Sequence, residues 1–435
     1  MRVDTSVSSI ISTADISATA AVVTSYQKDL KRVVAESDWH APEASLCLLD
    51  DEGLMVRVNA LVAELVGPEL RYIFVVGIGG SNLGTKAIYD ALLGYQSPVP
   101  VNQPQLVFLD AVNTRYVSYV CAEIVSKLKA PEEYLVVTIS KSGGTTETVA
   151  NTEILLAALT TQVGDPVART VVITDEGSPY AKAAEGQGMA VLTMPPAVGG
   201  RYSVFSAVGL FPLAAAGVDV TALREGARTL RTQCLLAEGG QNPALQSAAF
   251  SARAYAAGYH IHDTFVFHGE LESLGKWYRQ LLGESIGKEH DVSGVVVHTG
   301  ITPTVSVGST DLHSVGQLYL GGPANVQTTF VSVQAAHELL VPADRTFPTI
   351  VDMITNRSTD EIAAAILAGT QAAYRQQGRP FVSVTLDTID AYELGAFMQW
   401  KMLEVMYLGR LLKVNPFDQP HVELYKTETK RILAQ

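Results

Sequence analysis

Tyr134-Leu-Val-Val-Thr-Ile139 runs directly into Ser140-Lys-Ser-Gly-Gly-Thr-Thr-Glu-Thr148, which opens into Val149-Ala-Asn-Thr-Glu-Ile-Leu-Leu-Ala-Ala-Leu159. The first run is apolar and β-branched, and the third has apolar spacing suited to a helix, so the stretch reads as a strand, a loop and a helix. Such a junction gathers free backbone N–H groups and the positive end of a helix dipole at one point. With Ser140, Ser142 and Thr145 crowding around them, the loop reads as a phosphate cradle. An ordinary N-cap would also favour Ser and Thr here, so one loop alone decides nothing.

A second loop of the same kind lies upstream. Arg71-Tyr-Ile-Phe-Val-Val76 has the character of a buried strand, Gly77-Ile-Gly-Gly-Ser-Asn-Leu-Gly84 follows it, and Thr85-Lys-Ala-Ile-Tyr-Asp-Ala-Leu-Leu93 reads as a helix. Gly80 and Ser81 stand where a phosphate-facing turn needs close backbone approach and a hydroxyl. A dinucleotide-binding loop would also put glycines here, with an acid about 20 residues on. Asp110 comes slightly late for that role, and Gly84 falls one or two positions beyond the third required glycine, which leaves a nicotinamide-dependent oxidoreductase as the lesser alternative. Strands recur at 105–109, 134–139, 170–174 and 189–194, alternating with helices, and this predicts an α/β fold with a parallel sheet covered on both faces. Both loops then lie at the C-terminal ends of strands, where such sheets bind ligands.

Composition narrows the class. The 435 residues are 47% apolar, enough for two or more domains, and the formal net charge of -13 argues against nucleic acid or an anionic membrane as partner. Any cation that holds a phosphate must therefore be local. Cys47, Cys121 and Cys234 lack metal-like or disulfide-like spacing, and no polar-free run approaches roughly 18 residues. We expect a soluble, cytoplasmic protein with neither a disulfide framework nor a zinc site.

Four further segments carry chemistry. Gly199-Gly-Arg-Tyr-Ser203 places Arg201 beside paired glycines, where a guanidinium can grip an oxyanion; a surface arginine tied to a carboxylate is the alternative. After a helical connection at 219–238, a second α/β region is expected, with strands at 264–268, 292–298, 326–333 and 380–386. A helix from Leu271 through Leu282 leads into Gly283-Glu-Ser-Ile-Gly-Lys-Glu289, so Glu284 is expected in a loop between domains, placed as a general base. His313 sits in a polar, Gly-flanked stretch with Asp311 and Ser314. Beyond a helical run at 391–412, Asn415-Pro-Phe-Asp-Gln-Pro-His-Val-Glu-Leu-Tyr-Lys426 offers Gln419 and Lys426, the latter also readable as a solvated surface lysine.

Taken together, Gly77–Gly84, Ser140–Thr148, Gly200-Arg-Tyr-Ser203, Gly283-Glu-Ser-x-Gly-Lys288, Thr310-Asp-Leu-His-Ser314 and Asn415-Pro-Phe-Asp-Gln419, in this order, resemble the glucose-6-phosphate isomerase family, particularly its shorter bacterial form. The resemblance covers about Tyr72 to Arg431. It implies two sugar-isomerase domains at 67–218 and 219–390, each a parallel sheet flanked by helices, after a helical lead-in at 1–66 and before a C-terminal helical arm at 391–435. It also implies cofactor-free interconversion of glucose 6-phosphate and fructose 6-phosphate by a homodimer whose partner chain supplies the histidine.

Carried over by resemblance, Ser140, Ser142 and Thr145 hold the phosphate with help from Ser81 and Gly80, and Glu284 is the base. His313 opens the ring, Arg201 stands beside the enediolate, and Gln419 and Lys426 are the C-terminal contributors. The sequence departs from the family pattern at Gly143-Gly144, where larger members carry bulkier residues, and at His421 and Leu424-Tyr425, where glycines are more usual. A non-catalytic phosphosugar-binding regulator would need the hydroxyl loops but not Glu284, Arg201 and His313. A glutamine-dependent phosphosugar transferase would need a cysteine nucleophile near the start, and none precedes Cys47.

Overall fold

The computed structural model describes residues 1–7, 10–95, 103–237, 241–334 and 339–435. A three-residue strand, β1 (Arg2–Asp4), and the helices Thr13–Ala21, Thr24–Glu36 and Glu52–Leu65 precede the first sheet. That sheet contains β2 (Tyr72–Val76), β3 (Gln105–Leu109), β4 (Tyr134–Ile139), β5 (Thr170–Asp175) and β6 (Ala190–Met194). Its order is β3-β2-β4-β5-β6 and every pairing is parallel. All six residues of β4 are buried, as expected for a strand whose two faces are both covered by helices. The chain leaves β2 toward β3 on one side and leaves β4 toward β5 on the other, so the crevice between β2 and β4 is a switch point. Both Gly/Ser/Thr loops open onto it.

The second sheet is built from β7 (Ile261–Val266), β10 (Thr302–Val307), β11 (Val326–Val333) and β12 (Phe381–Leu386), while β8 (Lys288–His290) and β9 (Val296–Thr299) form a separate antiparallel hairpin. Its order is β1-β12-β11-β7-β10, parallel except for β1. Two sequence expectations change here. The apolar run at 292–298 does not join this sheet: its end forms β9 of the hairpin, where Val295 and Val296 are exposed, and the sheet uses Thr302–Val307 instead. Pro303 lowered that segment's strand character, yet it lies on the sheet's edge strand, where a missing N–H is tolerated. The region 1–66 is also more than a helical lead-in, because Val3 pairs opposite Val384 and ties the start of the chain into the second sheet. Three residues are too few to show a period.

The C-terminal region also divides differently from a single arm. Ala391–Leu411 is buried along almost its whole length and packs on Val220–Leu236 and Pro243–Ala256. A Cβ on Gly226 would lie 1.8 Å from the Tyr392 carbonyl oxygen, and one on Gly395 would lie 1.9 Å from that of Leu223, so these helices meet backbone to backbone. A helix buried on every side belongs to the core, and the buried charges of Lys401 and Glu404 within it pair with each other at 3.0 Å. Only Val422–Leu433, with no buried residue, projects as an arm. The connection expected at 219–238 is the helix Val220–Leu236, and Glu238 lies outside the described residues. No helix among the described residues is long and apolar enough to cross a membrane.

Candidate active site

Arg201 is the hub of the site. It occupies the 3-10 turn Gly200–Tyr202 and is 2% exposed, an extreme burial for a guanidinium. All three of its nitrogens donate: Nε to Ser285 Oγ at 2.7 Å, Nη1 to Gln419 Oε1 at 2.6 Å and Glu284 Oε2 at 3.3 Å, and Nη2 to the carbonyls of Pro416 at 2.7 Å and Asp418 at 3.1 Å. A buried charge is tolerated only when it is paired and bonded in this way. The turn owes its position to glycine. A Cβ on Gly80 would lie 2.2 Å from the Gly200 carbonyl carbon, so the loop after β2 and the Arg201 turn touch backbone to backbone.

Glu284 lies in the last turn of the helix Glu272–Ile286, not in a loop between domains. Buried Leu281, Leu282 and Ile286 carry the helix through Gly283, which therefore does not end it. One carboxylate oxygen accepts from Arg201 and the other from Gln280 Nε2 at 3.0 Å. The side chain keeps 32% of its surface exposed, so it is reachable while held from two sides. Gln280 also faces the first loop, since a Cβ on Gly79 would lie 3.0 Å from its Nε2. Ser285 and Tyr202 complete the floor, with the Tyr202 hydroxyl 3.2 Å from Ser285 Oγ and donating to the Pro416 carbonyl at 3.3 Å. Lys288, 8% exposed, donates to the Glu284 carbonyl at 2.9 Å and to the Asp418 carbonyl, and pairs with Asp418 Oδ1 at 3.0 Å. Burial pulls its ammonium below the usual lysine range while Asp418 opposes that shift.

At the other side of the crevice, Ser140 is buried after β4 and its Oγ lies 3.0 Å from Thr145 Oγ1. Thr145 caps the helix Thr146–Val163 without a side-chain bond, so the first-turn N–H groups have no hydroxyl occupying them. Ser142 is exposed at the loop's tip. Gly143 has φ +70 and packs on Tyr180, where a Cβ would fall 2.5 Å from the tyrosine Cβ, which accounts for glycine there. Lys141 does not face the cradle with a free ammonium; it donates to the carbonyls of Pro196 at 2.5 Å and Val198 at 3.0 Å. Lys430, on the C-terminal helix, does come close: a Cβ on Gly144 would lie 3.9 Å from its Nζ. Gly80 and Ser81 belong to the 3-10 turn Gly79–Ser81 on the facing loop.

Two expected residues stay apart from this cluster. His313 is exposed on the short helix Thr310–Ser314, and among the described residues no hydrogen bond or ion pair joins it to Arg201, Glu284 or Gln419. Lys426 points along its own helix to Glu423 Oε1 at 2.7 Å, because an acid one turn earlier captures the ammonium. Reading the sequence missed Gln280, Ser285, Tyr202, Lys288 and Lys430. Gln280 lies four positions before Glu284 on the same helix, the spacing that puts side chains on one face, and that signal was available; Lys288 lies beyond the helix end, where that spacing says nothing.

Two largely parallel sheets, two hydroxyl-and-glycine loops at one switch point and a carboxylate gripped by a buried arginine define an α/β protein with an anion-binding type of crevice. Comparison with known proteins refines the class. The phosphoglucose isomerase family model matches residues 61–435. A glucose-6-phosphate isomerase of Streptococcus agalactiae is 33% identical over 387 residues, spanning 86% of this chain and 82% of the relative. The crystal structure of a hypothetical protein from Thermus thermophilus superposes with a TM-score of 0.86 at 28% identity, covering 100% of both chains. That of a glucose-6-phosphate isomerase from Chlamydia trachomatis, at 22% identity, shares the fold with a TM-score of 0.79 over 96% of this chain and 78% of that one. The chain belongs to the phosphoglucose isomerase family.

Proposed function

We propose that this chain interconverts glucose 6-phosphate and fructose 6-phosphate, an aldose-ketose isomerisation of glycolysis and gluconeogenesis, in the crevice between the Ser140 loop and Glu284. The observation that carries the reading is the Arg201 guanidinium 3.3 Å from the partly exposed Glu284 carboxylate. Isomerisation opens the ring and then moves one proton between adjacent carbons through a cis-enediol. One carboxylate on one face, Glu284, removes and returns it. The enediolate places negative charge on oxygen, and Arg201, with Gln419 beside it, supplies a preorganised positive edge there.

Ser140, Ser142 and Thr145, with Gly80 and Ser81 opposite, hold the phosphate, whose binding positions the reacting carbons rather than reacting itself. Ring opening needs a donor for the ring oxygen and an acceptor for the anomeric hydroxyl proton. We assign these to His313 and Lys426, in a cytoplasmic homodimer whose partner subunit brings its histidine across. The exposure of His313, away from the cluster in its own chain, supports that arrangement.

The test is conversion of fructose 6-phosphate by purified protein in chelator, wild type beside Glu284→Gln. Turnover that persists in chelator and falls by orders of magnitude in the variant is expected. Sugar phosphate binding without wild-type turnover would instead establish a non-catalytic binding protein.

A further inference from the structure

Resting on that isomerase reading, we propose that Lys288 is a positioning residue for the reaction: its ammonium fastens the segment 415–419 to the last turn of the Glu284 helix and so holds Gln419 and Arg201 in working geometry. Lys288 stands two residues beyond the helix end, nearly buried. Three acceptors converge on it, the carbonyls of Glu284 and Asp418 and the Asp418 carboxylate. An ammonium has three donors, one for each. The Asp418 carbonyl is shared with Arg201 Nη2, whose partner nitrogen Nη1 grips Gln419 and Glu284.

The contacts close a ring: Glu284 main chain, Lys288, Asp418, Arg201, Glu284 side chain. Within it, the distance from guanidinium to carboxylate is set from both ends. Without the ammonium, two carbonyls lose a buried donor, and among the described residues the hydrogen bonds from the site to the segment 415–419 that remain come from Arg201 and Tyr202. That loosens the residues that must meet a transition state, where a shift of about 1 Å can cost on the order of 100-fold in rate. Lys288 acts through Arg201 and Gln419, and its role differs from that of the phosphate cradle, which lies on the other loop system.

The experiment follows fructose 6-phosphate turnover in wild type, Lys288→Met, Lys288→Ala and Asp418→Asn. Wild-type activity is read first, because its absence would sink the isomerase reading itself, independently of Lys288. Given activity, Lys288→Met is expected to lower kcat by about 10- to 100-fold with KM nearly unchanged, a loss confined to the transition state. Lys288 borders a cavity of about 450 Å³ shared with Asn415, Asp418 and His421, through which a small amine can enter. Ethylammonium should therefore restore kcat to Lys288→Ala, and sodium chloride at equal ionic strength should not. Asp418→Asn changes an exposed side chain and should lower kcat in the same sense but less. Wild-type kcat in Lys288→Met overturns the proposal. So does a loss that tracks lowered thermal stability without recovery in ethylammonium, which marks a structural staple only. If the Lys288 variants do not fold, an unchanged kcat in Asp418→Asn overturns it and a lowered kcat at unchanged KM sustains it.

Discussion

The guanidinium of Arg201 holds the carboxylate of Glu284 at 3.3 Å, joining residues 83 positions apart in the chain. The two arrive from different directions, one on a glycine-flanked turn after the first sheet and the other in the last turn of a helix beside the second. Each is held independently: Arg201 by two carbonyls and Ser285, Glu284 by Gln280.

Arg201→Lys is expected to lower kcat by about 10²- to 10³-fold, since a lysine cannot span Ser285, Gln419 and two carbonyls at once. The carbonyls of Pro416 and Asp418 lose a donor, so the melting temperature should fall too. Steady-state kinetics and a thermal melt on the same preparation check both.

Gly80 and Gly200 touch, but their substitutions should behave unequally. A Cβ on Gly80 meets the Gly200 carbonyl carbon at 2.2 Å, whereas one on Gly200 meets Gly80 Cα at 3.5 Å, an ordinary contact. Gly80→Ala should destabilise by about 1–3 kcal/mol and depress kcat/KM, because the backbone under Arg201 must move. Gly200→Ala should stay near wild type in chemical denaturation and in activity.

The cradle residues separate by burial. Ser142→Ala removes an exposed hydroxyl that accepts a 3.4 Å bond from the Gly144 N–H. Its effect should fall on substrate, raising KM for fructose 6-phosphate by about 10-fold or more, the range for a hydrogen bond to a charged group. Inhibition by inorganic phosphate should weaken in parallel. Ser140→Ala also breaks the 3.0 Å contact with Thr145 and should lower stability as well as affinity.

Asp263, buried in β7 beneath Thr304 and Ser306, supplies a pH-dependent term. Burial pushes its carboxyl up to about 6, partly offset by hydrogen bonds from Thr304 and Ser306. The folded state thus binds this proton more tightly than the unfolded chain does. The stability it contributes is present below about pH 4, declines as pH rises from about 4 to about 6, and is absent above. Asp263→Asn should raise stability by on the order of 2 kcal/mol at about pH 8 and by little at about pH 4. Urea unfolding at the two pH values measures the difference.

Much of the first sheet was legible because its signals are local. β4 begins and ends where the apolar run Tyr134–Ile139 does, and the strands at 105–109 and 170–174 differ from the observed ones by at most a residue. The second sheet was less so. β10 carries a proline and alternates small polar residues with valine, and the exposed valines of the neighbouring hairpin imitate a buried strand.

By itself, the sequence determined the residue chemistry and the local junctions: two hydroxyl-and-glycine loops between strands and helices, an arginine beside paired glycines, an acid near a helix end. These depend on neighbours a few positions away, where backbone preference and side-chain type act directly. Only the tertiary structure decided that Arg201 is buried and directs its donors to Ser285, Gln419, Glu284 and the carbonyls of Pro416 and Asp418, that Lys288 lies under Glu284, and that Ala391–Leu411 is core. A lysine or arginine looks the same in sequence whether water or a ring of carbonyls surrounds it. What distinguishes the two is desolvation, and desolvation depends on segments hundreds of residues apart closing on the same point.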